Sequence, residues 1–412
     1  MTSTNLSSKT PGYQFALVAI LSINFGIVFF DRNALNFLMP FVQPELGLNN
    51  KQVGFLAAAL SFTWALAAFG IGMLSDRSGS RKGLLVIATA CFSLCSFLSG
   101  IAATFSMLLG ARLLMGVAEG GVMPLSHSLI AAQVSSERRG LAMGVAQNFG
   151  SNLLGSFVAP VALVVFASAF GWRHAFFLAG VPGIISAIIM WFMIDDSTPD
   201  KGSANAGEKL SFGEALAERN VLICALLGVL LVGYLVICWA FMPLYLTQIR
   251  GVDSATMGWL MGTLGISATI GSFAISGLSD VLGRKPVMIA MPLIGIILPL
   301  GALYFHGPDW MLYVIFFVGW GVNGIFPLFM GTVPSESVGQ AHLATVLGIC
   351  MGAPEVLGGV FGPSIAGILA DNYSLAAPLW LMLGLTLVAA VLATGLRETA
   401  PRIVGAANSA PA

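Results

Sequence analysis

Charge is what this chain has least of. Only 9% of its 412 residues are Asp, Glu, Lys or Arg, against roughly 25% in an ordinary soluble domain. With 57% hydrophobic residues and a mean hydropathy of +0.91, a water-soluble globule is excluded, because it would be left with large apolar patches on its surface. The 18 basic and 18 acidic residues cancel to a net charge of +0. No block of like charge occurs, which argues against a nucleic-acid partner. Metal-ligating residues are sparse as well, with four histidines and five cysteines. Cys91, Cys95, Cys224, Cys238 and Cys350 all fall inside apolar segments without metal-ligand spacing, so they read as small buried hydrophobes and no metal is expected. A phosphate-binding glycine loop is missing, and so is any nucleophile with a base at recognisable spacing; neither an enzyme nor a cofactor is expected. A sensor would be expected to carry a sizeable soluble domain or a long tail. The N-terminal "MTSTNLSSKTPGYQ" leads into an apolar run with no small-residue cleavage site, which reads as a retained helix.

What the chain has instead is long apolar runs. Charge-poor stretches of 18 to 25 residues recur along its length, each enough to cross a hydrocarbon core of about 30 Å as a helix. None alternates polar and apolar residues as a membrane barrel strand does. Gly, Pro and charge clusters divide the runs into twelve predicted spans, roughly 14–38, 53–75, 84–104, 107–132, 140–167, 174–194, 221–247, 257–279, 286–305, 310–333, 342–370 and 375–396. An even number puts both termini on one side. That side would hold Lys9, Arg77, Arg81, Lys82, Arg138, Arg139, Lys201, Lys209, Arg219, Arg284, Lys285, Arg397 and Arg402, thirteen in all, against Lys51, Arg173 and Arg250 on the other. By the positive-inside rule the richer side is the cytoplasm. The lipid bilayer is therefore a partner, and the short loops lean toward a bacterial inner membrane.

The longest polar stretch, Asp195 to Asn220, is rich in Ser, Gly and mixed charge. It predicts an N-terminal six-helix bundle over 1–196, a cytoplasmic linker over 197–219 and a C-terminal six-helix bundle over 220–412. The halves repeat: "GMLSDRSGSRKG" follows the second span and "GLSDVLGRKP" the eighth, with Asp76 and Asp280 204 residues apart. Internal repeats in a membrane chain mark secondary transporters. In the first copy Gly72, Asp76, Arg77, Gly79, Arg81 and Lys82 form a tight turn in which Asp76 can pair with bases or face a helix N-terminus and so act as a gate. In the second, Asp280, Gly283, Arg284 and Lys285 keep part of that pattern, with Ser276 in place of the first glycine and no Arg after the Asp. A positive-inside loop alone would explain Arg81 and Lys82, though not the repeated Asp and Gly.

Ionisable residues inside apolar spans cost about 2.5 to 3.5 kcal/mol each on insertion scales, and they usually face the bundle interior. The first span carries Asp31 and Arg32 in "FFDRNALN", about 100° apart on a helix. The fourth carries Arg112, Glu119 and His127, with Arg112 and Glu119 two turns apart on nearly one face. Three readings are open for the Asp31–Arg32 pair: a loop, a structural ion pair that sets helix register, or a working site. Asn148 and Asn152 on the fifth span read as interhelical glue or ligands, and Tyr234 as a ring partner or an interface anchor. Glu355 on the eleventh span is open as a proton site, a ligand for a hydroxyl or amine, a counter-ion to an arginine, or a hydrogen-bond partner of a helix broken near Pro354.

The "GMLSDRSGSRK" loop resembles the signature loop of the major facilitator superfamily. The Asp31–Arg32 pair, Arg112 with Glu119, and "GWRHAFFLAGVPGI" at 171–184 are similar to the anion:cation symporter branch. That resemblance implies an all-α membrane protein of twelve transmembrane helices in two six-helix bundles, working as a monomer. It implies proton-coupled symport of a small organic anion, a sugar acid or an aromatic or aliphatic carboxylate, by alternating access. Asp31 and Glu119 would correspond to the proton-carrying carboxylates, Arg32 to the receiver of the substrate carboxylate, and Arg112 to the arginine that holds either acid when ionised. Phe29, where many relatives carry tyrosine, and Glu355 depart from the pattern. They leave the substrate open, with export or exchange of amphiphilic, cationic or lipid-like compounds as the alternative.

Overall fold

The computed structural model describes residues 10–78, 80–135, 138–196, 212–338 and 342–404, and no β-strand occurs among them. The membrane helices are α1 Pro11–Leu46, α2 Asn50–Ser78, α3 Arg81–Gly100, α4 Phe105–Gln133, α5 Leu141–Phe170, α6 Trp172–Met193, α7 Arg219–Ile249, α8 Ser254–Leu282, α9 Arg284–Tyr304, α10 Asp309–Ser337, α11 Thr345–Asn372 and the shorter α12 Ala377–Ala393. Twelve spans were expected, and the described residues form twelve. The ends run past the apolar windows because polar caps extend them. Thr104 accepts a hydrogen bond from the Met107 N–H and Asp253 from the Thr256 N–H, each filling one of the orphan donors of a helix start. Gly171 (φ +84°) and Gly283 (φ +105°) make the sharp joints between α5 and α6 and between α8 and α9, where a left-handed φ suits glycine alone.

Two compact units form, Met1–Leu46 with Phe62–Ser203 (unit 1) and Gly47–Ser61 with Ala204–Ala412 (unit 2). The sequence halves place all of α2 in the first bundle, yet its first turns belong to unit 2. Their start explains this. Asn49 and Gln52 form a reciprocal capping box (Asn49 N–H to Gln52 Oε1, 3.0 Å; Gln52 N–H to Asn49 Oδ1, 2.8 Å). The next two N–H groups, of Asn50 and Lys51, go to the Asp371 carboxylate at 2.9 and 2.8 Å.

Inside each unit the repeat is visible in the packing. In unit 1, α1 lies against α5 so closely that a Cβ on Gly150 would fall 1.8 Å from the Ser22 carbonyl oxygen, and one on Gly155 2.3 Å from the Phe29 Cβ. In unit 2, α7 lies against α11, where a Cβ on Gly358 would fall 2.3 Å from the Val229 carbonyl oxygen. Both α5 and α11 carry a wide π-type turn at these contacts, Ser151–Val158 and Pro354–Gly358. Without a hydrophobic drive between helices in lipid, such backbone contact is what holds them. Gly150→Val is therefore expected to destabilise by at least about 3 kcal/mol, since backbone rather than a flexible side chain must yield. Gly144→Ala, on the same helix with nothing within 4 Å, should leave the melting temperature in detergent unchanged or raised. Equal melting of the two variants would mean that α1 and α5 are not held by this contact.

Candidate functional site

The ionisable residues of unit 1 converge. Asp31 on α1 is fully buried, and its Oδ1 accepts a 2.6 Å hydrogen bond from the Ser96 hydroxyl on α3. Arg112 on α4 is 2% exposed and donates to the Arg32 carbonyl at 3.1 Å. Its guanidinium lies 5.7 Å from the centre of the Phe176 ring on α6. Glu119, 1% exposed, sits two turns further along α4 beside the break at Gly121. There Gly120 lets the helix meet the backbone of Trp64 on α2, to which a Cβ would come within 2.5 Å. The Arg32 side chain stands 5.6 Å from the Phe29 ring and 5.4 Å from the Trp64 ring, a geometry that favours a cation over an aromatic face.

Five polar atoms in this cluster have no hydrogen-bond partner: Asp31 Oδ2, Arg112 Nε and Nη2, and both oxygens of Glu119. No ion pair joins these three side chains, although Asp31 and Glu119 each feel the charge of Arg112, and Glu119 that of Arg32. A buried polar atom left unmatched costs about 1 to 3 kcal/mol, more if charged. Three ionisable side chains held that way make this cluster the candidate functional site.

The other expected residues are placed as follows. Asn148, exposed on α5, donates to the carbonyl of Gly144 one turn back, and Asn152 is half-buried in the π-type turn. Glu355, half-buried, occupies the matching turn of α11, 203 residues later. Tyr234 is fully buried in unit 2, with its hydroxyl on the Gly295 carbonyl at 3.1 Å and its ring 5.8 Å from that of Trp320. Gly72, Asp76 and Arg77 lie on the last turns of α2; their side chains, and Gly79 altogether, lie outside the described residues. Arg81 donates to the Ser128 carbonyl at 3.3 Å, and the Lys82 ammonium stands 5.3 Å from the Trp191 ring. In unit 2, Arg284 pairs with Asp280 at 2.6 Å and Glu336 at 2.9 Å.

Sequence reasoning missed Ser96, and it missed two carboxylates that close the repeated loops. Asp196 accepts from the Ser80 hydroxyl (2.9 Å) and the Lys82 N–H (3.4 Å) at the start of α3. Glu398 accepts from the N–H groups of Arg284 (2.8 Å) and Lys285 (3.1 Å) at the start of α9. The two acids are 202 residues apart, close to the repeat interval, a signal that was available in the sequence. The Gly-Trp-Arg entry to α6 also has a use: Trp172 Nε1 donates to Glu45 at 2.6 Å and Arg173 pairs with the same carboxylate, fastening the end of α1 to α6.

Burial raises the carboxyl of Glu398, but the N–H groups of Ala400, Arg284, Lys285 and Thr399 outweigh it and hold the group below its ordinary 4.5. A lowered folded value means that the contribution to stability is present above the unfolded value and fades as pH falls through the folded one. Glu398→Gln should therefore melt lower than the parent near neutrality, by about 1 kcal/mol, the usual worth of an N-cap, and the gap should close as pH falls through the folded value, which lies below 4.5. A parallel pair of melting curves across that range would exclude the cap.

This is a helical membrane protein with a cluster of buried ionisable side chains inside one unit. The Major Facilitator Superfamily model matches residues 21–352 and 236–411, and the chain belongs to that family. It is 28% identical over 362 residues to a probable 4-methylmuconolactone transporter of Cupriavidus pinatubonensis, covering 84% of this chain and 82% of that one. It is 23% identical to a D-galactonate transporter of Escherichia coli, covering 94% and 96%. A hexuronate transporter of Bacillus subtilis is 28% identical over 64% of this chain and 65% of its own. In structure it is similar to a bacterial homologue of the human lysosomal transporter Spinster, with a TM-score of 0.77, 18% identity and 93% and 97% coverage. At that identity the likeness speaks for the fold.

Proposed function

We propose that the chain is a secondary active transporter that carries a small organic acid together with protons, by alternating access. It would sit in the bacterial cytoplasmic membrane with both termini on the cytoplasmic side. The observation that carries this reading is the set of five partnerless polar atoms on Asp31, Arg112 and Glu119. A permanent ion-pair cluster would spend those atoms on one another. Here the carboxylate oxygens are open to a proton and the Arg112 nitrogens to an anion, and the two binding events favour each other. A proton on Asp31 or Glu119 removes a competitor for the field of Arg112 and Arg32, and an anion beside those arginines is in turn better held when the acids are neutral. By linkage the coupling is reciprocal.

Arg32 is assigned the substrate carboxylate, because its guanidinium is braced by two rings and its planar fork suits bidentate binding. Arg112 balances the acids. Asn148 and Asn152 are the further substrate contacts of this reading. Relatives named as transporters of 4-methylmuconolactone, D-galactonate and hexuronate support an organic-acid substrate.

The test is a thermal-shift screen of the purified chain against sugar acids, aromatic carboxylates, dicarboxylates and organic cations at two pH values. A ligand at 100 times its Kd stabilises by about 2.7 kcal/mol. At least one carboxylate should raise the melting temperature, and more strongly at the lower pH. Stabilisation by cations alone would reject the anion reading.

A further inference from the structure

The Ser96 hydroxyl lies 2.6 Å from Asp31 Oδ1 and 3.0 Å from the Phe176 carbonyl oxygen. A hydroxyl has one hydrogen to donate and two lone pairs to accept with. Both contacts are of hydrogen-bond length, and both oxygens opposite are acceptors when Asp31 is ionised, so one hydrogen cannot serve the two. The conflict disappears when Asp31 carries a proton on Oδ1. Asp31 then donates to Ser96, Ser96 donates to Phe176, and each hydrogen along the line has an acceptor.

We propose that Ser96 is a positioning residue that transmits the charge state of Asp31 to helix α6: it donates to the ionised carboxylate, and it turns to the Phe176 carbonyl once Asp31 is protonated. The proton moves onto Asp31 Oδ1, the Ser96 O–H bond stays intact, and only its direction changes. The α3–α6 hydrogen bond thus forms with the neutral acid and is lost with the charged one.

Other serines of α3 show that the arrangement is not a helical default. Ser93 and Ser99 each donate to the carbonyl four residues back, at 2.9 Å, the usual resting place of a serine in a membrane helix. Ser96, between them, donates across the bundle. The charged and titratable groups around Asp31 are Arg32 on its own helix, Cys95 on α3, and Arg112 and Glu119 on α4. From α6 comes the Phe176 carbonyl, with Arg173 and His174 standing in that helix's first turn. Phe176 is also the ring beneath Arg112, so the same residue of α6 meets both the switch and the arginine that balances the acid.

The inference rests on the reading that Asp31 takes up a proton, and the experiment separates the two. In acid-minus-alkaline infrared difference spectra of the purified full chain, the protonated-carboxyl band of Asp31 is the one deleted by Asp31→Asn. In Ser96→Ala that band should move to higher wavenumber, because its hydrogen-bond acceptor is gone. Its half-amplitude pH should rise by about one unit, since a hydrogen bond to a charged acceptor is worth more than one to a neutral partner. Ser96→Thr, which keeps the hydroxyl, should restore both, and Ser96→Cys, a weak donor that serves if the alanine variant folds poorly, should resemble alanine. A band that Asp31→Asn deletes but that no Ser96 variant moves overturns the switch and leaves the proton site standing. Absence of any band assignable to Asp31 overturns both.

Discussion

Arg32→Ala is expected to lose substrate binding by about 30- to 5,000-fold while the protein stays folded. The range follows from about 2 to 5 kcal/mol for truncating one partner of a buried, hydrogen-bonded charge pair. Folding should survive because the contact that ties Arg32 to Arg112 runs through its backbone carbonyl, which accepts at 3.1 Å and remains in the alanine variant. The side chain itself stands against the aromatic faces of Phe29 and Trp64, a favourable place for a guanidinium. Arg32→Lys should recover part of the affinity and little of the selectivity among carboxylates, because an ammonium is a point charge and not a planar fork. The measurement is ligand-induced thermal shift or calorimetry with whichever carboxylate stabilises the parent. Retained affinity in Arg32→Ala would move the anion site elsewhere.

Glu119→Gln is expected to abolish uphill, pH-driven accumulation in proteoliposomes while sparing exchange of substrate across the membrane. Glutamine has the shape of the protonated acid and never changes charge, so the carrier should cycle loaded but lose its tie to the proton gradient. The internal-to-external substrate ratio should fall to about one, with counterflow retained. Both Glu119 oxygens are buried without a partner, so removing the charge should also stabilise the fold or leave it neutral. Unchanged pH-driven accumulation would take Glu119 out of the coupling role. A loss of counterflow together with accumulation would make it a structural or binding residue instead.

The two acids differ in a way that separates their substitutions. Asp31 has a hydroxyl partner at 2.6 Å, whereas neither oxygen of Glu119 has a hydrogen-bond partner. Asp31→Asn introduces an amide that meets Ser96 either as donor or as acceptor, so it disturbs the line to α6, whereas Glu119→Gln changes charge alone. Comparing the two in the counterflow assay therefore tells loss of coupling from loss of geometry.

Much of the candidate site was readable in the chain because charge inside an apolar span is expensive. Asp31, Arg32, Arg112 and Glu119 stand out against apolar neighbours, and the two-turn spacing of Arg112 and Glu119 is enough to put them on one face of a helix. Ser96 was not readable. Three serines at three-residue spacing on α3 look alike in sequence, and two of them do satisfy themselves on their own helix. Which one turns away depends on where α1 and α6 pass. Tyr234 illustrates the reverse case: a tyrosine in an apolar span attracts notice, yet its hydroxyl is committed to the Gly295 carbonyl and its ring to Trp320.

Hydropathy by itself determined that the chain is helical and crosses a membrane and how many times it does so, and like motifs determined that its second half repeats its first, because helix length against bilayer thickness and the interval between motifs are one-dimensional quantities. Tertiary structure alone decided the partners. Asp371 caps the start of α2 and so places Gly47–Ser61 with the second unit. Asp196 and Glu398 close the two repeated loops, and Ser96 reaches both Asp31 and α6. Each of these is a hydrogen bond between groups far apart in the chain, and its formation is settled by the close approach of helices that hydropathy does not encode.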